Sequence, residues 1–161
     1  LLHGPPGGTP HPWQSRTLAL TVLIAVTIVS GGVVAGLDAG LIYNPFPKMG
    51  DHWIPPGLLA LEPAWRNAFD NLTTVRVDHR LLAIITFTLI AVYWLRARSA
   101  DLPRRARGGA NALLVVAVLQ VVLGILTVIH AVPTTLAVSH QANALLLLTA
   151  ALYLLHGLRR G

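Results

Sequence analysis

Four apolar stretches, at about residues 17–37, 77–95, 110–129 and 135–155, recur along the 161-residue chain. Each is close to the roughly 20 residues that an α-helix needs to cross about 30 Å of hydrocarbon. A bilayer core offers no water to the backbone, so a spanning segment satisfies its own N–H and C=O groups as a helix or joins a closed barrel. Hydrophobic residues make up 54% of the chain and charged residues 11%, which sets it apart from ordinary soluble domains. The expected fold class is therefore all-α: an integral membrane four-helix bundle with a long outer loop, formed by residues 17–161.

The net charge of +6 does not point to nucleic acid, because the basic residues border the apolar stretches. Arg16, the arginines between 96 and 107, and Arg159 with Arg160 all fall on one side of such a bundle. The positive-inside rule makes that side the cytoplasm, or the matrix of a mitochondrion. The other side receives residues 38–76, a connection long enough to be functional in its own right. Its Phe46, Trp53, Trp65 and Phe69 argue for an ordered cover at the membrane surface, with Pro63 opening a short helix through Phe69. Residues 1–16, rich in Gly, Pro and His near their start, are expected to be a linker from a preceding half of a longer polypeptide. Gly32, Gly36 and Gly40 stand at the spacing that lets neighbouring helices approach closely.

The chain has no cysteine, so any redox metal must be held by histidine, methionine or oxygen ligands. Thr73-Thr74-Val75-Arg76-Val77-Asp78-His79-Arg80 brings an acid, an imidazole and two guanidinium groups to the start of the second stretch, and Ser139-His140-Gln141 opens the fourth. Ionisable residues inside a membrane segment are costly and usually have a use. In the topology above, these two segments run from outside to inside, so His79 and His140 lie at similar depth near the outer face. Two imidazoles at matched depth can take both axial positions of one haem iron, an arrangement suited to electron transfer. Arg76 and Arg80 then sit at the rim, where a guanidinium can pair with a propionate. The plainer alternatives are that the histidines cap or anchor their helices, that Arg80 snorkels to the interface, or that His52, His130 or Met49 takes a ligand position. Gln120, Asn111 and Asn143 are expected to bond between helices.

A series of motifs also resembles the C-terminal half of the haem A synthase family. It comprises Val34-Ala35-Gly36-Leu37-Asp38-Ala39-Gly40-Leu41-Ile42-Tyr43-Asn44, Phe46-Pro47-Lys48-Met49-Gly50, Trp53-Ile54-Pro55, Asn71 with Thr73, Asp78-His79-Arg80-Leu81-Leu82, and Val132-Pro133 leading to His140-Gln141. The resemblance implies an oxidoreductase of two related four-helix bundles. It implies haem b in this half, held by His79 and His140, and haem O as substrate in the other half, its ring methyl oxidised to the formyl group of haem A. It further implies a role in cytochrome oxidase assembly, an electron donor, surrounding lipid, and a multi-pass location in a bacterial inner membrane or the mitochondrial inner membrane. It leaves room for a homo-oligomer. Two other functions fit the residues: a stand-alone membrane cytochrome b, and a bundle without haem.

Overall fold

Each apolar stretch is helical and each helix begins before it. The computed structural model describes residues 11–158, with long helices α1 (Gln14–Gly36), α3 (Leu72–Ala97), α4 (Arg104–Ile129) and α5 (Thr134–Gly157), and a single-turn α2 (Asn67–Asp70) in the outer loop. All four long helices are long and apolar enough to cross a membrane. The starts of three of them are set by capping and by proline, not by where hydropathy fades. The Asn71 side chain accepts from the backbone N–H of Thr74 at 3.1 Å and starts α3, while Pro103 and Pro133 stand at the entries of α4 and α5. Two expectations change as a result. Gln14–Arg16, assigned above to the linker, belong to α1, and the polar cluster of residues 73–80 lies inside the first turns of α3. The rest of the expected linker, residues 1–10, and Arg159 and Arg160 lie outside the described residues.

α1 packs on α3 and α5, and α4 packs on the same two helices. The four therefore close an antiparallel bundle with α3 and α5 across one diagonal. Polar rungs tie α1 to α3: Thr17 and Tyr93 hydroxyls at 2.8 Å, Thr27 and Thr86 hydroxyls at 2.8 Å, then Ser30 and His79. On the other side, α4 and α5 approach closely at Gly109, where an added Cβ would meet the Leu154 backbone at 3.0 Å. The expected pairing of Gly32 and Gly36 with a neighbour is not seen among the described residues, because none of them lies within 4 Å of either notional Cβ.

The core is strongly one-sided. Leu20, Ile24, Ile90, Tyr93, Ala97, Ala106, Ala110, Leu113, Ala117, Leu147, Ala151 and Leu154 form its buried cluster, and all come from the arginine-rich half of the bundle. In the opposite half, none of residues 25–36, 77–85, 118–129 or 134–142 is buried.

The outer loop is ordered by asparagines. Asn67 accepts from the Leu61 N–H at 3.0 Å and donates to the carbonyls of Leu61 and Ala64. Asn71 donates to Asn67 and to the Gly57 carbonyl. The expected short helix after Pro63 appears as a 3-10 turn, Ala64–Arg66, running into α2. Met49 is buried and forms an isolated antiparallel bridge with His52. Between α4 and α5, Ala131 and Val132 both take φ of +57°, a region that β-branched residues rarely enter. The Val132 side chain is set against Gly40, whose notional Cβ would stand 3.1 Å from it.

Candidate functional site

His79 and His140 lie about two turns inside α3 and α5, on diagonally opposed helices and away from the main buried cluster. Each imidazole rests against a glycine of the neighbouring helix. A Cβ on Gly31 of α1 would stand 2.9 Å from Cε1 of His79, and one on Gly124 of α4 would stand 2.9 Å from Cε1 of His140. Real Cβ atoms do not come so close, so both positions need glycine for the rings to lie where they do. Each ring also has a polar neighbour. Ser30 Oγ is 2.9 Å from His79 Nδ1, and Gln120 Nε2 is 3.3 Å from His140 Nε2. Gln120 is itself held by Asn143 at 2.7 Å, and Asn111 accepts from the Trp94 indole at 2.8 Å. These bonds bear out the interhelical roles expected of the amides. The Nδ1 atom of His140 is buried with no hydrogen-bond partner among the described residues, an arrangement that invites explanation in a half-buried imidazole.

The two arginines differ. Arg76, only 5% exposed, donates Nη1 to the carbonyls of Ala39 at 2.9 Å and Gly40 at 2.6 Å, and Nη2 to the carbonyl of Tyr43. It clamps the segment leaving α1 instead of standing free at a rim. Arg80 is half-buried, donates to the Pro47 carbonyl at 2.8 Å and lies over the Phe46 ring, so it keeps donors to offer at the outer mouth.

The other histidines are not brought to the pair. His130 is exposed, its Nδ1 2.9 Å from the carbonyl of Leu126. His52 is exposed in the loop, His11 lies before α1, and His156 is exposed at the opposite end of α5. His3 lies outside the described residues. Glycines in GxxxG spacing do not single out Ser30, Gly31 or Gly124. The signal available was a glycine in each of α1 and α4 at the depth of the histidine in the next helix.

Residues 7–152 match the family model described as "Cytochrome oxidase assembly protein". The chain belongs to that family, COX15-CtaA. It is 50% identical over 141 residues to the Heme A synthase of Nitrosospira multiformis, covering 88% of this chain and 40% of that protein. It is 50% identical over 149 residues to Heme A synthase COX15 of Mus musculus, covering 92% and 36%, and 51% identical over 138 residues to that of Homo sapiens, covering 86% and 34%. The chain thus spans 40% or less of the length of these relatives. No solved structure matches it. Family membership agrees with the resemblance drawn from the motifs, and the four apolar helices fit a multi-pass membrane protein.

Proposed function

We propose that this chain is the cofactor-holding half of a haem A synthase, in which His79 and His140 are the axial ligands of a haem b. The observation that carries this reading is the uneven packing. Protein interiors are filled to near-crystalline density, yet every buried residue of the main core cluster lies away from the two histidines. A large flat group held between α3 and α5 would complete that half of the bundle, and the glycines at 31 and 124 keep clear the flank of each ring.

When bound, a bis-histidine haem supplies one-electron transfer without an open coordination site. The chain's own residues would then have separate duties. His79 and His140 hold the iron. Arg80, at the outer end, offers guanidinium donors to a propionate. Arg76 keeps the Ala39–Leu41 turn over the mouth, and the asparagine-braced loop limits water there, which raises the strength of local electrostatics. In the complete protein, oxidation of the haem O methyl to a formyl group would take place in the other bundle, in the bacterial or mitochondrial inner membrane. The arginine-rich end would face the cytoplasm or matrix.

The test is spectroscopic. Purified from membranes with haem b, the protein should show a low-spin, six-coordinate spectrum that His79→Ala and His140→Ala each abolish. His52→Ala and His130→Ala should leave it unchanged. Retention of the low-spin spectrum in either of the first two variants would overturn the assignment.

A further inference from the structure

The hydrogen bonds around the two imidazoles have opposite polarity. Ser30 has one hydroxyl proton, and it goes to the carbonyl of Thr27 at 2.8 Å. Its contact with His79 Nδ1 at 2.9 Å therefore uses a lone pair on oxygen, and the ring must be the donor. A neutral imidazole protonated at Nδ1 has a bare lone pair at Nε2. Gly31, the next residue, leaves room for the ring where it lies, since a Cβ there would stand 2.9 Å from its Cε1.

Across the bundle, Asn143 donates its Nδ2 to Gln120 Oε1 at 2.7 Å and to the Val116 carbonyl at 3.1 Å. That leaves the Gln120 amide nitrogen, which can only donate, facing His140 Nε2 at 3.3 Å. His140 Nε2 must accept. Its proton then sits on Nδ1, the buried atom without a partner.

We propose that Ser30 is a positioning residue that presets His79 as the Nδ1–H tautomer with Nε2 bare. Gln120, locked by Asn143, covers Nε2 of His140 with an amide that has to move aside before that nitrogen can ligate. The two histidines are therefore inequivalent ligands: one ready, one capped. This inference rests on the haem reading above, but its first test needs no haem.

The chain, labelled with 15N-histidine and placed in lipid nanodiscs without haem, is examined by 15N NMR. His79 should be found as the Nδ1–H tautomer. Ser30→Ala should turn it into a mixture, and Ser30→Thr, which keeps the hydroxyl, should restore it. With haem b bound, Ser30→Ala should raise the midpoint potential, because loss of an acceptor on Nδ1–H makes the ring a poorer donor; Ser30→Thr should return it. Gln120→Leu should bind haem b several-fold more tightly than wild type. An Nε2–H tautomer of His79 in the wild-type chain, or an unchanged tautomer in Ser30→Ala, overturns the role of Ser30. Weaker haem binding by Gln120→Leu overturns the capping role. A wild-type chain that shows the expected tautomers and takes up no haem supports the positioning geometry and overturns the haem reading instead.

Discussion

Arg76 donates to the carbonyl of Gly40 at 2.6 Å, and so ties the helix that carries His79 to the segment leaving α1. Gly40 in turn lies under the side chain of Val132, which takes an uncommon backbone conformation in the α4–α5 turn. One guanidinium thus links three parts of the outer end. Arg76→Met should strip donors from three carbonyls in a region closed to water, at a cost of about 2–4 kcal/mol. Arg76→Lys should recover only part of this, since an ammonium lacks the planar fork. Thermal unfolding in detergent measures the loss, and faster hydrogen exchange across residues 39–43 locates it.

The glycines should sort by what they face. Gly31→Ala and Gly124→Ala each drive a methyl into a histidine ring and should weaken haem retention by about tenfold or more, equivalent to about 1.4 kcal/mol. Gly32→Ala meets nothing within 4 Å among the described residues, and the helix gains about 1 kcal/mol from the better former. Haem titration paired with melting curves separates the two classes. Equal loss of haem from Gly32→Ala and Gly31→Ala would show that the contact with the ring does not matter.

Asn67 holds the loop through four hydrogen bonds, to Leu61 twice, Ala64 and Asn71. Asn67→Ala should leave buried backbone groups unpaired and cost about 2–3 kcal/mol locally, while the transmembrane bundle keeps its fold. Limited proteolysis from the outer side should then cut between residues 57 and 66 well before the wild-type loop is cut. Resistance equal to wild type would mean that other contacts hold the loop.

At Gly109 the obstacle is backbone, with Leu154 Cα at 3.0 Å from a notional Cβ. Gly109→Ala should force α4 and α5 apart and destabilise by about 1–3 kcal/mol, the usual range for overpacking. The effect on the His79 surroundings should be small, because Gly109 lies in the arginine-rich half. A thermal melt together with the haem spectrum checks both halves of this expectation.

The four spans, their order and the placing of His79 and His140 near the starts of the second and fourth were legible in the sequence. Apolar runs near 20 residues have one stable solution in a bilayer, and alternation of direction follows from chain connectivity. The asparagines and Gln120 were legible as interhelical partners for a similar reason: a polar amide in a hydrocarbon setting must find another polar group. What could not be read was which way each side chain points. A helix that is apolar on every side has no amphipathic stripe to mark its inward face, so nothing local distinguished Gly31, which touches His79, from Gly32, which touches nothing. The same holds for Arg76 and Arg80, similar on paper: one turns into a cage of carbonyls and the other toward Pro47 and Phe46. Those choices depend on which helices become neighbours, and at what rotation. Pairwise packing across distant parts of the chain sets both, and only the tertiary structure decides it.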